Sequence, residues 1–144
     1  MKFDKITIAY FWSSSCYYCS LSMPDFRKLK DDYCLKGVDI ISIHRPMNEF
    51  DLDEVKVFEV AKELGITEKL ILDNDHTIGD EFGVEAWPTY CLFDNSGKLR
   101  RKATGQFGVR MIEQALIRLF DEDGEAQEKE KSPVAVTESF PITF

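Results

Sequence analysis

The run Ile6-Thr7-Ile8-Ala9-Tyr10-Phe11-Trp12 lacks the apolar-polar alternation of a strand with one wet face. Its β-branched and aromatic residues suit a strand buried on both sides, which obliges the chain to build a sheet covered by helices. Cys16-Tyr17-Tyr18-Cys19 follows directly, and beyond it Leu21, Met23, Phe26, Leu29 and Tyr33 fall at helical spacing. Two thiols therefore stand where a strand turns into a helix. Cysteines three residues apart in a first helical turn share a face, with α-carbons near the ~5.5 Å of a disulfide. Free N–H groups and the positive dipole end favour a thiolate there, so Cys16 is the expected nucleophile and Cys19 the resolving partner. Two other readings stand beside this one, half of a structural zinc site and a pair of small core side chains. Zinc takes four ligands, and Cys34, Cys91, His44 and His76 are each isolated in the sequence.

Further along, Pro24 lies inside the first helical pattern and is expected to kink it. Gly37 ends that helix, and Val38-Asp39-Ile40-Ile41-Ser42-Ile43 reads as a second strand. A helix from about Asp53 to Leu64 would bury Val55, Phe58, Val60, Ala61 and Leu64 and stop at Gly65, with Lys69-Leu70-Ile71-Leu72 as a short strand after it. Asp73-Asn74-Asp75 suits the cap of a third helix ending near Phe82-Gly83. Thr89–Phe93 and Lys98–Ala103 flank Asp94-Asn95-Ser96-Gly97 as an antiparallel hairpin, and Met111, Ile112, Ala115, Leu116, Leu119 and Phe120 mark a closing helix from about Gly108. The charge run from Asp121 to Lys131 reads as a solvated linker, and the apolar end from Val134 to Phe144 as a frayed tail or an added edge strand. This divides the chain into a domain at 1–121 and a tail at 122–144.

A chain of 144 residues, 44% of them hydrophobic, has room for one real core without disulfide stapling. A net charge of −8 argues against nucleic acid or an anionic membrane surface as the main partner. No apolar stretch approaches the ~18 residues of a membrane span, and Met1-Lys2-Phe3-Asp4-Lys5 carries no export signal, so the cytoplasm is the expected location. Cys34 and Cys91 read as small apolar fillers, and His44 and His76 as solvated or capped histidines.

Taken in order, Phe11-Trp12, Cys16-Tyr17-Tyr18-Cys19, Met23-Pro24 and the distant Trp87-Pro88-Thr89 resemble the thioredoxin superfamily. The helix and strand inserted between residues 53 and 72 make the chain resemble the TlpA/ResA branch. Ser42-Ile43-His44-Arg45-Pro46, Asp51-Leu52-Asp53, the segment from Ile71 to His76 and the segment from Phe93 to Arg100 are similar to YkuV-type soluble oxidoreductases of Gram-positive bacteria. The likeness covers about residues 6 to 121. It implies an α/β fold, a thioredoxin-like three-layer sandwich with a mixed central sheet, and a cis Pro88 lying against the dithiol. Trp87 and Pro88, with Tyr17 and Tyr18, would meet the substrate. The activity implied is disulfide reduction through a mixed disulfide at Cys16 and Cys19, without cofactor or metal. It would act on protein or low-molecular-weight disulfides, with a thiol-based reducing partner. Tyr10 and Ser22 depart from the resemblance, since each stands where carboxylates serve proton transfer in such proteins. An exported or membrane-anchored ResA-like reductase, a redox-inert interaction module of the same fold and a metal chaperone are the alternatives.

Overall fold

Strand β1 (Thr7–Trp12) is buried at all six positions and lies at the centre of the sheet, as an apolar run without alternation requires. The computed structural model describes residues 3–131, and the side chains of residues 3–122. The elements that follow β1 are α1 (Tyr17–Tyr33), β2 (Asp39–His44), α2 (Glu54–Glu63), β3 (Lys69–Leu72), α3 (Thr77–Glu81), β4 (Thr89–Phe93), β5 (Leu99–Thr104) and α4 (Gly108–Lys131). They build a five-stranded sheet in the order β3-β2-β1-β4-β5. Its first three strands are parallel, while β4 runs antiparallel to β1 and β5 antiparallel to β4. The sheet is therefore mixed, and the insert between residues 53 and 72 supplies α2 and the edge strand β3.

Alternation along β1 divides the core. Ile8, Tyr10 and Trp12 pack with Met23, Phe26 and Leu29 of α1, Val57 and Ala61 of α2, and Ile112, Leu116 and Leu119 of α4. Ala9 and Phe11 point the other way, into Ile43, Val84, Cys91 and Phe93, against which Ile78 and Phe82 pack. Three layers result, with α1, α2 and α4 on one face and α3 on the other. Tyr10 and Lys30 both bond Glu68, at 2.5 and 2.8 Å, which ties α1 and β1 to the approach to β3.

Several expectations need correction. Leu21 is exposed and Ser22 takes the buried place, bonding Tyr90 Oη at 2.7 Å. In α2 the buried side chain is Val57, with Ala61 beside it and Val60 and Leu64 partly covered, whereas Val55 and Phe58 are exposed. Helical rotation explains this, because at about 100° per residue positions 57, 60, 61 and 64 share a face while 55 lies opposite and 58 to one side. Pro24 lies inside α1, as the sequence places it, on the exposed side of the helix. Helix α4 does not stop at Phe120 but continues to Lys131, through glutamate, alanine, glutamine and lysine residues that favour helix. The reading of Val134 to Phe144 as a frayed tail or added strand lies outside the described residues.

Candidate active site

Helix α1 begins at the dithiol. Cys16 is its N-cap, in extended conformation, and its Sγ accepts the backbone N–H of Cys19 at 3.1 Å. The Cys16 amide donates in turn to Ser13 O at 3.1 Å, closing the turn out of β1. Cys16 and Cys19 form a disulfide, with α-carbons 5.3 Å apart. Cys16 is 7% exposed and Cys19 1%, so the first cysteine is the more accessible residue of the two. An anionic Sγ at Cys16 would meet the N–H groups and dipole of a helix of 17 residues.

Tyr17 is 68% exposed and packs edge-on to Tyr18, their ring centres 5.6 Å apart. The Trp87-Pro88 peptide is cis, and Trp87 packs against the core cluster that contains both cysteines. Three bonds fix this segment: Trp87 Nε1 donates to Arg45 O at 2.7 Å, Thr89 Oγ1 to Ala86 O at 2.7 Å, and the Gly105 amide to Pro88 O at 2.9 Å. Arg45 is itself buried. Its guanidinium bonds Asp73, the His76 carbonyl and Asp80, and sits 5.9 Å from the Trp87 ring. Asp73 accepts from the Ile78 and Gly79 amides, the capping role expected of that loop.

The sequence reading missed a polar cluster beneath the dithiol loop. Asp51 is 2% exposed, and its Oδ2 accepts from Ser13 Oγ at 2.5 Å, Ser15 Oγ at 2.9 Å and the Met47 amide at 2.9 Å. Its Oδ1 accepts from Ser14 Oγ at 3.1 Å. Burial alone would raise its pKa, but the bonds from Ser13, Met47, Ser15 and Ser14 outweigh burial and hold the carboxyl below its usual range. His44 is likewise not a solvated histidine: it is fully buried, edge-on to Trp12 with centroids 4.9 Å apart, and its Nε2 accepts from the Ser14 amide at 3.0 Å. Burial pushes its pKa down to about 4, against the raising influence of Asp51. The only signal for this cluster was three consecutive hydroxyls at 13–15, and nothing in the spacing links them to a carboxylate beyond residue 50.

At the two departures from the family pattern the chain places neutral hydroxyls. Tyr10 donates to Glu68, and Ser22 bonds Tyr90, whose own hydroxyl is pushed up to about 12 chiefly by burial. Cys91 is a core residue as expected, its thiol pushed up to about 12 by burial, whereas Cys34 is a surface thiol and not a filler. His76 Nε2 bonds the Pro46 carbonyl at 2.8 Å. Among the described residues no group of three or more His, Cys, Asp or Glu is placed to hold a metal ion. No helix among them is long and apolar enough to cross a membrane.

Comparison with known proteins gives the family of the chain. The Redoxin family model matches residues 3–116. Thiol-disulfide oxidoreductase YkuV of Bacillus subtilis is 36% identical over 119 residues, which is 83% of this chain and 80% of that protein. ResA of Halalkalibacterium halodurans is 28% identical over 104 residues, covering 72% of this chain but 56% of its own length. A thioredoxin-like protein solved in solution in its oxidized form superposes with a TM-score of 0.73 at 35% identity, covering 85% of this chain and 82% of that one. The expected cytoplasmic location does not stand against these relatives. Besides ResA, they include a secreted Mycobacterium tuberculosis disulfide oxidoreductase (TM-score 0.58, 15% identity, 68% of each chain). They also include an exposed lipoprotein thioredoxin of Streptococcus pneumoniae (TM-score 0.65, 24% identity, 81% of this chain and 86% of that one).

Proposed function

As a member of the Redoxin family, in its TlpA/ResA-like branch, the chain is a thiol-disulfide oxidoreductase, and we propose that Cys16 is its nucleophile and Cys19 its resolving thiol. The observation that carries this assignment is the bond from the Cys19 amide to Cys16 Sγ at 3.1 Å, at the N-terminus of α1. That bond and the helix dipole lower the cost of a negative sulfur at Cys16 alone. Cys16 thiolate attacks a substrate disulfide, forms a Cys16-to-substrate mixed disulfide and releases one substrate thiolate. Deprotonated Cys19 then attacks Cys16 Sγ, closing the Cys16–Cys19 disulfide and expelling the second substrate thiolate. Two electrons pass from enzyme to substrate in the cycle, and a thiol-based partner returns them.

Thioredoxin-fold oxidoreductases of this kind act on protein or low-molecular-weight thiols and disulfides. We propose disulfide reduction as the net direction, with the Trp87-Pro88 segment, Tyr17 and Tyr18 meeting the substrate chain. Support comes from the exposure of both tyrosines and from the packing of Trp87 against the dithiol cluster. Relatives described as secreted or as an exposed lipoprotein support an exported setting for this activity. The chemistry draws on residues 1–121, which we propose as the catalytic domain.

Insulin reduction with dithiothreitol as electron donor tests the scheme. Cys16→Ser is expected to abolish turnover, and Cys19→Ser to accumulate a mixed disulfide visible on a non-reducing gel. Turnover that persists in Cys16→Ser would refute the assignment.

A further inference from the structure

The geometry points to Asp51 as a positioning residue for the exchange reaction: a buried carboxylate that clamps the loop carrying Cys16 and, by its charge, opposes ionisation of that sulfur. The inference rests on the exchange reading above and concerns how the same dithiol is tuned.

The clamp is direct. Every serine of the Ser13–Ser15 loop donates its hydroxyl to Asp51, and the Met47 amide adds a fourth bond. Ser13 relays the constraint, because its carbonyl accepts the Cys16 amide at 3.1 Å. Ser15, bonded to Oδ2 at 2.9 Å, is covalently next to Cys16, its α-carbon about 3.8 Å from that of Cys16. Ser15 Oγ also lies 3.8 Å from Met47 Sδ, so both connections that border the dithiol meet at this carboxylate.

The charge follows from the donors. All four bonds come from neutral groups, which stabilise the anion without cancelling it. The other titratable group packed on this loop is His44 of β2, whose Nε2 is occupied as an acceptor by the Ser14 amide. Arg45, the next residue, turns its guanidinium to Asp73 and Asp80. Tyr17, Tyr18 and Asp25 of α1, Glu85 before Trp87 and Arg110 of α4 are exposed to solvent, where screening weakens their fields. A buried anion bonded to Ser15, the residue before Cys16, therefore acts against the helix dipole. It disfavours the thiolate, and with it the reduced form, leaving the dithiol a stronger reductant than the helix terminus alone would make it.

Asp51→Asn keeps the shape and removes the charge. In the reduced protein, the pH midpoint for alkylation of Cys16 by iodoacetamide, read from the mass of its peptide, is expected to fall by about half a unit or more. In a glutathione redox buffer the ratio of reduced to oxidised protein is expected to rise about threefold or more. An unchanged midpoint and an unchanged ratio overturn the inference, even where thermal stability drops, because a merely structural bond moves neither. Should Asp51→Asn not fold, Ser15→Ala decides. It leaves the charge and removes the donor nearest Cys16, so a raised midpoint supports the inference and an unchanged or lowered one overturns it. Both readouts need only a reduced cysteine, and a wild-type protein inactive towards insulin would count against the exchange reading instead.

Discussion

His44 shows how much a single side chain can hide. Its position at the end of an apolar strand suggested a wet or capped ring, yet it is fully buried and its Nε2 is committed to the Ser14 amide. The unfolded chain takes up a proton near the ordinary histidine value of about 6.5, while the folded ring resists protonation until about 4. The unfolded state thus binds more protons between those limits, so stability falls as pH drops from 6.5 towards 4 and is independent of this group above 6.5. Asp51 adds a loss with the same sign further into acid, since its folded pKa lies below the usual carboxylate value. Urea unfolding at a series of pH values should show both limbs, and His44→Gln should remove the upper one alone; an upper limb that survives in His44→Gln would assign it to another group. The dithiol itself was readable because its signal is local, two cysteines bounded by a strand and a helix. The Asp51 cluster was not, because its three serine donors lie 36 to 38 residues from the carboxylate in the chain and only the fold joins them.

At the scale of elements, α3 illustrates a helix too short to stand on propensity. Its five residues depend on Asp73 accepting two amides and on Arg45 bridging Asp73 to Asp80. Gly79 makes this possible, since a Cβ there would come 2.2 Å from Arg45 Nη1. Gly79→Ala should therefore push the guanidinium off its carboxylates and cost about 2–3 kcal/mol in urea unfolding, with a change in Trp87 fluorescence. An unchanged midpoint would show that the arginine moves freely. The alternation of strands and helices, the hairpin and the Asp73 cap were legible because period and turn chemistry are written locally. The face of α2 was not: Val55 and Phe58 are as apolar as Val57 and Val60, and only contact with the sheet selects between them. The extent of α4 was obscured for the opposite reason, since its distal residues form helix while offering no apolar stripe.

On the scale of the whole molecule, the dithiol end carries its own apolar surface. Tyr17 and Tyr18 stand at the start of α1, and Met47 and Phe50 lie on the connection that Asp51 pins to the dithiol loop, with Phe50 79% exposed. Tyr17→Ser combined with Phe50→Ser should raise KM for disulfide-bonded unfolded proteins about tenfold or more while leaving kcat in place. Turnover of a small aromatic-free disulfide should stay unchanged, and an equal loss on both substrates would remove this surface from recognition. The strand order has another consequence, for biosynthesis. Strand β1 is made well before its antiparallel partner, since Thr7 pairs on one side with Phe93, at the end of β4. At a synthesis rate of about 5–20 residues per second, that side of β1 waits on the order of 4–17 s for its partner. During that interval the nascent chain exposes an apolar strand edge, a natural target for the chaperones that attend translation.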